Sequence, residues 1–145
     1  MSQDSPLSDR ASIVSVIARM RRIATPEGIE RLEQVTMPDG DRQWVSIRGR
    51  NVANPVLLMI HGGPGTPEMP FSWAFSSPWE DYFTVVQWDQ RGVGKNAAGF
   101  DRQANLPKMT LAQHVEDAVQ VIEHLRRELG KGRIVALGYS WGSRI

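Results

Sequence analysis

The sequence contains no cysteine among its 145 residues. This absence excludes disulfide frameworks, thiolate zinc sites and a cysteine nucleophile, and a reducing cytoplasm is the simplest fit. Neither sign of charge dominates, since 17 Lys and Arg against 16 Asp and Glu leave a net charge of +1, which argues against nucleic acid or an anionic membrane as a partner. No apolar run approaches the roughly 20 residues of a membrane span, and the polar N-terminus does not resemble a signal peptide.

The remaining composition is typical of one globular domain, with 41% hydrophobic and 23% charged residues. We divide the chain into an N-terminal part, residues 1–27, and a domain, residues 28–145. In the first part Met1–Ser8 is a polar tail. Apolar residues at helical spacing then predict a short amphipathic helix between Asp9 and Ile23. We expect this helix to pack on its own domain rather than to dock another chain.

Alternation and apolar runs predict five strands in the domain. The first two, Gly28–Met37 and Arg42–Arg48, are joined by a Pro-Asp-Gly turn. Continuous apolar runs, typical of strands buried on both faces of a parallel sheet, form the other three: Pro55–His61, Phe83–Asp89 and Arg133–Gly138. A helix that begins after Thr110 and ends at Gly130 connects the last two. The pattern predicts an α/β fold with a mostly parallel sheet and leading antiparallel strands.

Each of the three buried strands ends in a glycine-rich or charged turn, namely His61–Gly65, Asp89–Gly94 and Gly138–Gly142. The carboxyl ends of parallel strands meet at one edge, where α/β sheets bind their ligands. The last turn matches Gly-x-Ser-x-Gly, a sharp strand-to-helix turn that exposes a nucleophilic serine, here Ser140. Such sites hold an oxyanion with the N–H of the next residue, Trp141, and one from an earlier loop, here Gly63. That earlier loop could alternatively be a simple turn.

Together the three turns resemble those of α/β-hydrolases of the proline iminopeptidase-like group. The resemblance covers about Leu32 to Ile145 and rests on the order of His61-Gly-Gly-Pro-Gly65, Asp89-Gln-Arg-Gly92 with Gly94, and Ser140-Trp-Gly-Ser143. It implies that Ser140 is the nucleophile and that Gly63 and Trp141 are the oxyanion donors. It also implies that His61 orients the oxyanion loop and that Asp89 and Arg91 tie the turns together. The full set of supporting residues is His61, Gly62, Asp89, Arg91, Gly138 and Gly142.

The resemblance implies a serine hydrolase that releases the N-terminal residue of a small peptide, or cleaves a related amide or ester, without a metal or cofactor. Two positions depart from the group's pattern: Tyr139 stands where close members have glycine, and Asn96 where they have serine. A general carboxylesterase with the same nucleophile is therefore the second hypothesis.

The order of catalytic residues in this fold is serine, acid, histidine, yet neither an acid nor a histidine follows Ser140. We therefore expect the N-terminal portion of a hydrolase, truncated after the serine turn and inactive by itself. The third hypothesis is a non-catalytic fragment, or a pseudoenzyme that only binds.

Other candidate residues have simpler interpretations. His114 and His124 are expected on a solvated helix face, and no pair of histidines has a metal-binding spacing. Glu68 and Glu80 are expected to be exposed. The dense aromatic residues between positions 71 and 83 form either a wall near the substrate or packing beneath the sheet edge. Neither a P-loop nor a dinucleotide-binding fingerprint is present.

Overall fold

The computed structural model describes residues 9–145, so the predicted tail Met1–Ser8 lies outside the described residues. Five strands form one mixed sheet: β1 (Ile29–Thr36), β2 (Arg42–Gly49), β3 (Val56–Ile60), β4 (Thr84–Trp88) and β5 (Ile134–Gly138). Their order across the sheet is β1-β2-β4-β3-β5. β2 is antiparallel to β1 and to β4, whereas β3 is parallel to both β4 and β5. The predicted α/β fold, with leading antiparallel strands and a parallel portion, is therefore confirmed.

Four α-helices accompany the sheet: α1 (Arg10–Met20), α2 (Ser72–Phe75), α3 (Arg102–Asn105) and α4 (Leu111–Leu129). α4 begins at Thr110, whose hydroxyl accepts a hydrogen bond from the Gln113 N–H at 3.2 Å, and it ends at a left-handed Gly130. Single 3₁₀ turns cover Ser77–Asp81, Gly94–Ala97, Leu106–Lys108 and Ser140–Arg144. Within residues 9–145, no helix combines the length and the apolar character needed to cross a membrane.

The main core lies between α4 and one face of the sheet. All five β3 residues are buried, and alternate side chains point to opposite faces. Twelve buried residues form this core: Val35, Met37, Val45, Ile47, Val56, Leu58, Ile60, Val86, Trp88, Ala118, Val121 and Leu125. A smaller cluster lies on the other face, formed by Leu57, Met59 and Val85. Along β5, at the edge of the sheet, Val135 and Leu137 are 49% and 38% exposed.

Two expectations about the N-terminal half are corrected. α1 forms, but it buries none of its residues, so it does not pack its apolar stripe into the domain as expected. Glu80 is buried rather than exposed, because Arg48 donates to its carboxylate at 2.8 Å and Arg21 at 3.3 Å. Glu68 is only partly exposed, and burial raises its pKa.

The aromatic residues between β3 and β4 lie on the surface. Exposed fractions from 41% to 72% are found for Phe71, Trp73, Phe75, Trp79 and Tyr82. Phe83, at the end of the stretch, packs against the cluster of Leu57, Met59 and Val85 on the sheet. Both interpretations of the stretch, a wall near the substrate and packing beneath the sheet edge, stay predictions.

Candidate active site

The serine turn and the glycine-rich loop meet at the carboxyl ends of β5 and β3. Ile60 at the end of β3 pairs with Gly138 at the end of β5, so the chain leaves both strands at the same level. A Cβ built on Gly62 would lie 3.1 Å from the Ser140 Cβ. The loop therefore contacts the serine directly.

Ser140 has a backbone conformation that serine rarely adopts. Its φ is +52°, and no other non-glycine among residues 9–145 has a positive φ. Such a conformation costs about 1–3 kcal/mol and persists only where the surroundings impose it. Two hydrogen bonds stabilise the turn. The Gly142 N–H donates to the Tyr139 carbonyl at 2.9 Å, and Ser143 Oγ donates to the Ser140 carbonyl at 2.6 Å. The Ser140 side chain is left exposed.

The two glycines that flank the serine turn are required by close backbone contacts. A Cβ on Gly142 would overlap the Ile60 carbonyl oxygen and lie 2.9 Å from the His61 carbonyl oxygen. A Cβ on Gly138 would lie 2.9 Å from the Ser143 nitrogen. Real Cβ atoms do not approach backbone atoms so closely. The turn thus packs against the end of β3 only because side chains are absent at both positions.

The two N–H groups predicted to bind an oxyanion lie on either side of this contact. Gly63 has a φ of +119°, a region that only glycine readily occupies. Trp141 is the second residue of the final 3₁₀ turn, and N–H groups at the start of a helix have no acceptor within the helix. Both groups belong to the segments that contact Ser140. Their role as oxyanion donors stays a prediction.

His61 links the loop after β3 to the loop after β4. The side chain is 1% exposed; its Nδ1 lies 3.0 Å from the Gly62 carbonyl oxygen, and its Nε2 accepts from the Gln90 N–H at 3.2 Å. These partners require the proton on Nδ1. Burial lowers the pKa of His61, which favours the neutral ring. Both ring nitrogens are occupied, and His61 is therefore not a base for Ser140.

Asp89 and Asn96 hold the loop after β4. Asp89 is 1% exposed, burial raises its pKa, and its Oδ2 accepts from the Lys95 N–H at 2.8 Å. Asn96 accepts from the Trp44 N–H at 3.0 Å and donates to the Gln90 carbonyl at 3.1 Å. Asn96, one of the two departures from the family pattern, thus joins this loop to β2.

Arg91 joins three parts of the chain through ion pairs. The guanidinium is fully buried and donates to both Asp117 carboxylate oxygens, at 2.8 and 2.9 Å. It also donates to Asp39, in the turn between β1 and β2, at 3.0 Å. These contacts tie the loop after β4 to α4 and to the first hairpin. A supporting role for Arg91 at the active site stays a prediction.

Asp39, the partner of Arg91 in the turn between β1 and β2, makes the stability of the fold depend on pH. Partial burial acts to raise the pKa of Asp39, but hydrogen bonds from Lys108 and Arg91 outweigh it and lower the pKa from 3.8 to about 2. A depressed folded-state pKa stabilises the fold above the unfolded value, and this contribution is lost as the pH falls from about 4 to about 2. We expect Asp39→Asn to flatten the pH dependence of the urea midpoint in that interval. Asp101→Asn is the control, and an equal slope in wild type and Asp39→Asn would contradict the expectation.

The expectation of a solvated face for His114 is wrong. His114 is 4% exposed, its Nδ1 lies 2.8 Å from the Thr110 carbonyl oxygen, and its ring meets the Trp141 ring edge-on with centroids 6.0 Å apart. His124 is partly exposed and lies 2.9 Å from a Glu33 oxygen. The spacing of Thr110 and His114, one helical turn apart at the start of α4, was the sequence signal for the first contact. No sequence feature near His114 indicated its contact with Trp141.

None of the three histidines of the sequence is hydrogen-bonded to Ser140 within residues 9–145. The ring nitrogens already described lie against Gly62, Gln90, Thr110 and Glu33. A serine hydroxyl needs an adjacent base to become a strong nucleophile. The described residues therefore supply a strained, exposed serine without a histidine partner.

Comparison with known proteins shows the family to which this chain belongs. Residues 55–145 match the family described as alpha/beta hydrolase fold. A Bacillus subtilis protein named "Probable aminopeptidase" is 38% identical over 102 residues, which are 70% of this chain and 31% of that protein. A proline iminopeptidase of Neisseria meningitidis is 34% identical over 89 residues, which are 61% of this chain and 26% of that protein.

Comparison with solved structures agrees with the sequence matches. A proline iminopeptidase-related protein of Thermus thermophilus superposes with a TM-score of 0.62 at 26% identity, over 79% of this chain and 37% of that protein. The chain thus spans only about a quarter to a third of the length of the two curated relatives. The match over residues 55–145, more than half of the chain, decides the assignment: this protein belongs to the alpha/beta hydrolase fold family.

Proposed function

We propose that the chain carries the nucleophile and oxyanion hole of a serine hydrolase that releases the N-terminal residue of a peptide. The observation that carries this proposal is the Ser140 turn: a positive φ of +52° and an exposed side chain, at the end of a strand and in contact with a glycine loop. Strain of this kind is maintained at functional sites. The aminopeptidase and iminopeptidase names of the relatives support a peptide or amide substrate.

In the proposed reaction Ser140 Oγ attacks the carbonyl carbon of the first peptide bond. A base takes the hydroxyl proton, and the N–H groups of Gly63 and Trp141 bind the negative oxygen of the tetrahedral intermediate. The intermediate collapses to an ester on Ser140 and releases the shortened peptide as an amine, which receives the proton. Water then attacks the ester, releases the N-terminal amino acid and restores the serine.

In this proposal none of the three histidines of the sequence acts as the base. His61, His114 and His124 are each engaged with another group, so no histidine within residues 9–145 is a partner for the Ser140 proton. Catalytic residues that act as a unit lose most of their benefit when one is missing. We therefore propose that the chain by itself is nearly inactive, although its serine turn is formed.

Adding an external base tests whether the serine turn is formed even though the chain by itself is nearly inactive. We expect a fluorophosphonate probe not to label the chain in plain buffer, and to label it at Ser140 when imidazole is added as a substitute base. Peptide mass spectrometry locates the label. Ser140→Ala should abolish labelling, whereas Ser15→Ala, at an exposed serine of α1 far from the turn in sequence, is the control and should retain it.

Two results would contradict the proposal in different ways. Labelling of Ser140 without imidazole would show that a base is present within the chain. Absence of labelling at every imidazole concentration, in a chain that is folded by circular dichroism, would show that Ser140 is not a competent nucleophile. A binding-only role would then be the better hypothesis.

The substrate class is tested with the same rescued chain. An aminoacyl arylamide with a free amino group is compared with an acyl aryl ester of similar size. Ester turnover that is indifferent to a free amine would favour the carboxylesterase hypothesis.

A further inference from the structure

A cavity of about 610 Å³ lies beside the proposed oxyanion loop. Pro64 and Gly65 of that loop form part of its wall, and His114, which contacts Trp141, forms another. The remaining wall comes from the loop after β4 and from the segment that leads to α4. The volume is within the range of about 300–1,000 Å³ typical of small-ligand sites.

The lining combines apolar side chains with two polar groups. Its side chains beyond the oxyanion loop include Val93, Ala97, Phe100, Leu106 and Met109. Arg102 is exposed on the first turn of α3 and forms no ion pair within residues 9–145. An apolar wall with one unpaired cation suits a ligand that carries an apolar group and a carboxylate.

His114 adds a fixed hydrogen-bond acceptor to the cavity. His114 is 4% exposed, and its Nδ1 lies 2.8 Å from the Thr110 carbonyl oxygen. A carbonyl can only accept, so Nδ1 carries the proton, and the tautomer that fits this contact has its lone pair on Nε2. No protein group within residues 9–145 donates to that nitrogen. A ligand with an N–H can therefore satisfy it.

We propose that this cavity binds the leaving-group residue of a dipeptide, an apolar amino acid whose free carboxylate pairs with Arg102 and whose N–H faces His114. The inference rests on the proposed function, since it names the substrate class of the same site. In a dipeptide, the residue after the scissile bond is the one that carries the free carboxylate. A charged side chain at that position is disfavoured, because it would lose its hydration against Val93, Phe100 and Met109 without a partner.

Direct binding tests this without any chemical step. The ¹⁵N-labelled chain is titrated with N-acetyl-leucine and, separately, with N-acetyl-leucinamide, which lacks the carboxylate charge. We expect saturable shifts of the Gly65, Val93 and Ala97 amides with both probes. Because an exposed ion pair contributes little, the acid should bind only about threefold more tightly than the amide. Arg102→Gln should abolish that preference, so that the acid and the amide bind the variant equally.

Steric variants locate the site. Ala97→Phe fills the cavity from an exposed position and should weaken both probes about tenfold or more. Ala104→Phe, on α3 but outside the lining, is the matched control and should bind as wild type does. Shifts that do not saturate, an equal affinity for acid and amide in the wild type, or binding unaffected by Ala97→Phe would overturn the proposal.

Failure of the subsite and failure of the hydrolase proposal give different results. Binding does not need a reactive serine, so Ser140→Ala should retain it. Imidazole-dependent labelling without probe binding would remove the subsite alone. Probe binding without labelling would instead remove the serine mechanism and leave a binding site.

Discussion

Replacement of Arg91 by methionine is expected to lower the free energy of unfolding by about 3–5 kcal/mol. Small domains have only about 5–15 kcal/mol in total, so much of the variant should be unfolded in modest urea. The physical reason is the group left behind rather than the bond removed. The Asp117 carboxylate is fully buried, and without the guanidinium it would keep one negative charge in the interior with only amide donors.

The remaining contacts of Asp117 do not replace the positive charge that is lost with Arg91. Gln43 Nε2 donates to it at 2.8 Å and Gln113 Nε2 at 3.1 Å, and both donors are neutral. Methionine preserves volume and apolar packing but supplies no charge. An unpaired buried charge on Asp117 is avoided only if the carboxylate takes up a proton or if the contact between α4 and the loop after β4 opens.

The matched control is an exposed ion pair. Arg126 and Glu123 lie 2.7 Å apart, but their side chains are 42% and 44% exposed, and such pairs contribute about 0–1 kcal/mol. Arg126→Met should therefore shift the urea midpoint little. In the double variant Arg91→Met, Asp117→Leu the unpaired buried charge is gone, and most of the lost stability should return. A loss below about 1 kcal/mol in Arg91→Met would refute the argument.

The sequence predicts the sheet well because its signals are local. Apolar runs place β3, β4 and β5 within a residue or two of the observed bounds, since each run is long enough for a strand and too short for a helix. The hairpin follows from Pro38-Asp-Gly40, and α4 from Thr110 and Gly130 at its ends. The three glycine-rich turns follow the strands directly, so their meeting at one sheet edge also followed from sequence.

What sequence could not predict depends on distant partners. Glu80 is buried because its partners Arg48 and Arg21 lie 32 and 59 residues away in sequence, and a lone glutamate in a loop gives no indication of them. The pairing of Arg91 with Asp39 spans 52 residues. His114 is buried in part because the chain returns with Trp141 after β5. In each case burial depends on how the sheet brings separate segments together.

Gly142→Ala is expected to disrupt the serine turn and to lower the free energy of unfolding by about 3 kcal/mol, the upper part of the usual range for overpacking. The new methyl group would overlap the Ile60 carbonyl oxygen and lie 2.9 Å from that of His61. Both atoms are backbone at the end of a buried strand, so no side chain can rotate away. Either the turn moves outward or β3 shifts within the sheet.

The control and the second readout separate strain from a general glycine effect. Gly132 has nothing within 4 Å of a built Cβ and no positive φ, so Gly132→Ala should be neutral or stabilise the chain by up to about 1 kcal/mol. In Gly142→Ala the amide resonances of Gly62 and Ser140 should shift more than those of the β1–β2 hairpin, because the turn gives way first. The same variant should lose imidazole-dependent labelling even at temperatures where it remains folded. If Gly142→Ala keeps wild-type stability and labelling, the contact between the serine turn and β3 does not position Ser140.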